Sequence, residues 1–213
     1  PTPAAVAVTV IAAGVGGALV AYRTERRGAY LLAKAAASSA FVATALAVGA
    51  LDAGWTRVAF AAILLSAVGD VALAARGRRA FLAGLAAFAA AHLTYTAAFA
   101  LAGPGVVPWA WAGAGATLLV GGAWLALLRR VPAGLRVAVA GYAVILAAMT
   151  ATGVAAGITR GSAGLAVGAV LVAGSDVAVG RERFAARGFA NKLVGLPAYY
   201  LGQALIALSL GAG

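Results

Sequence analysis

Apolar runs recur along the whole length of this 213-residue chain, each about 18 to 22 residues long, enough for a helix to cross a hydrocarbon layer roughly 30 Å thick. A signal peptide does not account for runs that continue to the end of the chain. Once they are set aside, no stretch remains that would build a soluble domain. The composition agrees, since 64% of the residues are hydrophobic and only 10% are charged, where a soluble domain carries about a quarter. Proline and glycine inside the runs are no obstacle, because membrane helices tolerate both. The expected fold is all-α. Eight spans are predicted at 4–22, 30–50, 56–75, 81–102, 108–128, 135–155, 162–179 and 193–211. Short connections would pack them as one bundle over residues 1–213.

The basic residues sort by side. Connections near 23–29, 76–80, 129–134 and 180–192, with the flanking Lys34 and Arg136, hold fourteen of the sixteen Lys and Arg residues. Arg57 and Arg160 alone fall on the other side. This alternation is the positive-inside pattern, and it places both termini outside the cytoplasm. The formal charge of +11 therefore points to a membrane surface and not to nucleic acid. Tyr22 and Tyr30 bracket an inner connection, and Trp55, Trp109 and Trp111 lie near outer ends, as interfacial anchors do. The Ala, Gly and Arg bias suits a GC-rich bacterial genome, so the cytoplasmic membrane of a bacterium is the expected location. With no cysteine in the chain, disulfides and thiolate catalysis are excluded.

The informative residues are the polar ones inside the spans. Asp70, in "LLSAVGDVALAARGRR", and Asp176, in "VLVAGSDVAVGRERF", both lie inside the inner end of a span, where a charge costs several kcal/mol without a partner or a wet cavity. Their contexts match at a separation of 106 residues, half the chain. A parallel repeat of four spans plus four would produce that spacing. His92 shares a helix face with Tyr95 and Thr96. Lys34 lies one turn before Ser38, close enough to the interface to snorkel, to stand beside the acids or to meet a lipid phosphate. Asn191, Lys192, Tyr199, Tyr200 and Gln203 fall in the last span, and Gln203 must point inward to find partners. Glu182 reads as a solvent-facing acid paired with an arginine, and Asp52 as interfacial. No HExxH or GxSxG occurs and no phosphate loop fits, so neither a metal nor another cofactor is expected. A serine triad would have to use scattered residues such as Ser66 or Ser175.

In combination, the elements "LLSAVGDVALA", "FLAGLAAFAAAHLTYTAAF", "GAVLVAGSDVAVGRERF" and "PAYYLGQALIAL" resemble the YhhN-like integral membrane proteins, the family that includes the lysoplasmalogenases. The resemblance covers essentially the whole chain and implies the same eight-span plan. It also implies hydrolysis of the vinyl ether bond of a lysophospholipid, giving a fatty aldehyde and a glycerophospho-head group. The family's paired acids correspond to Asp70 and Asp176, its second-span lysine to Lys34, and its last-span polar residues to Tyr200 and Gln203. Where relatives carry proline after that lysine, this chain has Ala35, which puts the local helix shape in question.

Two carboxyls suit this chemistry. One, kept protonated by low dielectric and a like charge nearby, protonates the alkene, while its ionised partner stabilises the oxocarbenium ion and activates water. On this reading Asp70 and Asp176 form an acid–base pair sharing one cavity, and His92, Tyr95 and Gln203 orient them. Lys34, Arg76 or Lys192 would meet the phosphate. The rival class is a proton-coupled transporter or lipid-handling protein, which would use the same buried acids.

Overall fold

The computed structural model describes residues 3–211 apart from positions 53, 76 and 104. Among these residues the regular structure is helical throughout. The helices are α1 (Pro3–Arg23), α2 (Arg27–Ala47), α3 (Gly54–Ala74), α4 (Arg78–Leu101), α5 (Val106–Ala116), α6 (Gly122–Leu128), α7 (Arg136–Thr159), α8 (Ala163–Phe184) and α9 (Phe189–Ser209). A single π-helical turn, Thr117–Gly121, joins α5 to α6 and makes them one span. Every predicted span thus coincides with a helix, with ends displaced by a few residues.

Seven helical segments among the described residues are long and apolar enough to cross a membrane. Helix α9 has the length, but Asn191, Lys192, Tyr199, Tyr200 and Gln203 interrupt its apolar character. Large apolar side chains face outward all round the bundle, as in Leu32, Trp111, Leu118 and Val137, the last 87% exposed. That surface is what a bilayer would cover. The chain is a multi-pass membrane protein.

Lipid tails supply no hydrophobic drive between helices, so packing of small side chains sets the contacts. Helices α8 and α9 show this most clearly. A Cβ on Gly168 would lie 2.9 Å from the carbonyl oxygen of Gly202, and one on Gly202 would lie 2.9 Å from the carbonyl oxygen of Gly168. The two backbones touch where side chains would hold them apart. Helix α3 packs on α4 in the same manner, with Gly69 against the Phe88 ring. Helix α2 runs unbroken through Ala35, so replacing the family's proline leaves an ordinary helix there.

Each inward polar residue is carried on a helix whose inner end meets a basic connection. Asp70 lies one turn before the end of α3 and Asp176 two turns before the end of α8. Lys34 and Tyr142 lie about two turns into α2 and α7. On the opposite side, Arg160 donates to the carbonyl of Ala102 and stacks 4.8 Å from the Trp55 ring centroid.

Candidate functional site

The two aspartates do not pair with each other. Each has its own partners, and the expectation of a carboxyl–carboxyl dyad is corrected here. Two neighbouring carboxyls in a low-dielectric interior can ionise together only against strong repulsion. This bundle places different partners beside each one.

Asp70 is 4% exposed and Lys34 5%. The Lys34 ammonium lies 2.8 Å from Asp70 Oδ1 and also donates to the Asp70 backbone carbonyl at 3.2 Å. It sits 5.4 Å from the centre of the Tyr30 ring as well. Ser38 and Tyr200 both donate hydroxyl protons to Asp70 Oδ2, at 3.0 and 2.5 Å. Both carboxylate oxygens are therefore engaged, and α2, α3 and α9 are tied together at one point. Of the roles open to Lys34, the structure has the cation beside the acid, at the edge of the cavity that both residues line.

Asp176, 6% exposed, is bound from one side only. Tyr142 donates to Oδ2 at 2.5 Å, and His92 Nε2 lies 2.8 Å from the same oxygen. A carboxylate accepts, so His92 carries its proton on Nε2 in this arrangement. His92 Nδ1 has no partner among the described residues. No hydrogen bond from a described residue reaches Oδ1 of Asp176, and the residue itself lines a cavity. The two carboxyls thus differ in their bonding: both oxygens of Asp70 have partners, and among the described residues only Oδ2 of Asp176 does.

His92 and Tyr95 share a face of α4 as expected but serve separate networks. Tyr95 donates to Gln203 Oε1 at 2.6 Å, in the buried centre of the bundle. Thr96 only bonds the His92 carbonyl of its own helix. Tyr199 donates to the backbone carbonyl of Ser66 at 3.0 Å, and its ring lines the cavity. Asn191 lines the same cavity as the aspartates and donates to Glu182 Oε2 at 2.8 Å and to the Ala186 carbonyl at 2.6 Å. Glu182 also accepts from the backbone N–H of Gly188. It is therefore a clasp for the α8–α9 connection and not a solvent-facing partner of an arginine, because unpaired amide donors in that turn lie closer to it than any guanidinium. Arg76 lies outside the described residues.

Both aspartates border one cavity of about 610 Å³ at the basic end of the bundle, a size typical of small-molecule sites. Arg78, Arg187 and Lys192 stand on its wall, and none of the three forms an ion pair with a described residue. Among the described residues no group of three His, Asp or Glu side chains gathers that could hold a metal.

Tyr142 is the residue that sequence reasoning missed. A hydroxyl in the middle of "VAVAGYAVILAAM" needs a buried partner as surely as Gln203 does, and that was the available signal.

Residues 29–210 match the model of the YhhN family. The chain belongs to that family. Lysoplasmalogenase TMEM86B from Homo sapiens is 37% identical to it over 159 residues, which is 73% of this chain and 64% of that protein. Lysoplasmalogenase TMEM86B from Sus scrofa is 40% identical over 155 residues, 70% of this chain and 61% of that protein. The chain thus spans less than two thirds of the length of either relative. No solved structure matches it.

Proposed function

We propose that this YhhN protein is a lysoplasmalogenase-like hydrolase, cleaving the vinyl ether bond of a single-chain ether phospholipid. The observation that carries the reading is Asp176 itself, which lines a cavity of about 610 Å³ and has its Oδ2 held by a histidine and a tyrosine while its Oδ1 has no partner among the described residues. The names of the two relatives support the same reaction.

Asp176 acts in its protonated form. Oδ1–H gives its proton to the outer alkene carbon, whose π electrons make the new C–H bond, and the ether oxygen shares a lone pair to form an oxocarbenium ion. Tyr142 O–H and His92 Nε2–H, both directed at Oδ2, hold the charge left on the carboxylate. Water adds to the carbon beside the oxygen, and its proton returns to Asp176. The hemiacetal then collapses: its hydroxyl proton leaves, the carbon–oxygen bond to glycerol breaks, and the glycerol oxygen takes a proton. One water is consumed, and an aldehyde and a glycerophospho-alcohol result. A single carboxyl serving as acid and then base follows the logic of a glycosidase acid–base residue.

The Lys34–Asp70 pair lines the same cavity and is electrically neutral as a unit. Arg78, Arg187 and Lys192 supply the net positive charge at the basic rim, which suits a phosphate approaching from the cytoplasmic leaflet. The positive-inside pattern of the connections supports that orientation.

A duplicated ancestry is part of this reading. Lys34 and Tyr142 are 108 positions apart, as are His92 and Tyr200, and as are the hydrogen-bonded Tyr95 and Gln203. Asp70 receives a donor from the second span of its own half and one from the last span of the other half. Asp176 receives its donors by the same rule. A parallel four-plus-four repeat produces this exchange, after which one half kept an ammonium and the other a tyrosine and a histidine.

The test is aldehyde release from a lysoplasmalogen by purified protein, beside folded Asp176→Asn and Asp70→Asn variants. Asp176→Asn is expected to lose on the order of 10²- to 10⁴-fold in rate, as removal of a general acid does. No release by the parent over a broad pH range and several head groups would remove the vinyl ether assignment.

A further inference from the structure

Beside the polar cavity lies a narrower, mostly apolar crevice between α4, α6, α7 and α8. The two spaces share a wall at Phe81, Phe88, Val179 and Asp176. Lys34 and Asp70 border only the polar one, while Leu85, Trp124 and Val139 border only the apolar one. Asp176 is therefore the carboxyl at the junction of a polar and an apolar space. In a single-chain ether phospholipid the reacting bond lies at the matching junction, between glycerophosphate and hydrocarbon.

We propose that this crevice, about 30 Å³ in volume, receives the first carbon or two of the substrate's hydrocarbon chain, walled by Leu85, Trp124 and Val139, and that Gly180 sets its bore. The proposal rests on the hydrolase reading and adds where the chain goes. A Cβ at position 180 would meet the Trp124 ring at 2.8 Å and Leu127 at 3.2 Å. Gly180 and Trp124 both line the crevice, so any side chain at 180 must displace the indole or occupy that space itself. The indole N–H has no partner among the described residues, so packing alone holds the ring in place.

A broader apolar groove on the outer face between α2 and α3, lined by Ala43, Ala67 and Val68, is the competing berth. It meets the site at Ser38, whose hydroxyl is donated to Asp70. A chain lying there would bring its ether bond to a carboxylate with both oxygens already engaged. The crevice brings it to the carboxylate with one oxygen free.

The experiment is photo-crosslinking in nanodiscs with a 1-O-alkyl glycerophosphocholine, the saturated and unreactive ether, carrying a diazirine near the ether oxygen. Adducts are mapped by mass spectrometry, and aldehyde release from the vinyl ether is measured on the same preparation. Adducts are expected on Leu85, Trp124 or Val139, and Gly180→Leu is expected to lower their yield about tenfold, a usual penalty for misfit in an apolar pocket. Leu85→Trp narrows the crevice from the other wall and carries the same expectation where Gly180→Leu does not fold. Adducts on Ala43, Ala67 or Val68 with aldehyde release intact, or full yield in folded narrowed variants, overturn the crevice and leave the hydrolase. Absence of both adducts and aldehyde release overturns the two together.

Discussion

Lys34→Met removes the ammonium beside Asp70 and leaves a carboxylate that is 4% exposed with only the Ser38 and Tyr200 hydroxyls to hold it. Removing one partner of a buried ion pair costs about 3–5 kcal/mol, because the other charge stays buried without compensation. Hydroxyl bonds inside membrane bundles are weaker, averaging about 0.6 kcal/mol and reaching about 1.7. Ser38→Ala should therefore cost about 1 kcal/mol or less. The double variant Lys34→Met with Asp70→Asn removes both charges and should recover most of the loss, giving a coupling energy of at least about 2 kcal/mol against the single variants. The assay is reversible unfolding in mixed micelles, followed by tryptophan fluorescence, for the four members of the cycle. If Lys34→Met costs under about 1 kcal/mol and the two changes add within about 0.5 kcal/mol, water from the cavity screens the pair. Asp70 then does not depend on Lys34 for its burial.

Tyr142→Phe keeps the ring against Trp124 and deletes one of the two donors to Asp176 Oδ2. It should lower the rate of aldehyde release about 10- to 100-fold while changing stability by about 1 kcal/mol or less; an unchanged rate removes Tyr142 from the carboxylate's support. Gly202→Val forces branched carbons against the Gly168 carbonyl and the Val172 backbone N, both within 3.0 Å of a Cβ there. It should destabilise the bundle by about 1–3 kcal/mol, visible in the same unfolding assay, and native stability would mean that α8 and α9 separate freely.

Only one of the two aspartates keeps an oxygen without a partner among the described residues, because of where helices meet, and that was not in the sequence. Asp70 and Asp176 stand in matching local sequences and both were legible as buried acids. Their difference comes from neighbours 36 and 130 positions away for Asp70, namely Lys34 and Tyr200, and 84 and 34 away for Asp176, namely His92 and Tyr142. A helix face can be read from spacing within one span, which is why His92 and Tyr95 were placed together. Which of them meets an acid depends on the rotation and tilt of α4 against α8 and α9.

The sequence alone determined the helices, since only a run of some twenty apolar residues satisfies its backbone inside lipid. It also determined the basic side of the membrane, because charge segregation is written into the connections, and that Gln203 and the acids face inward, because lipid exposure would leave them unsatisfied. Tertiary structure alone decided that the acids stay apart, that Lys34 neutralises Asp70, that Asn191 and Glu182 close a turn, and that Tyr142 joins the site. Those outcomes depend on distances between helices remote in the chain, and such distances are set by the close glycine contacts of the packed bundle.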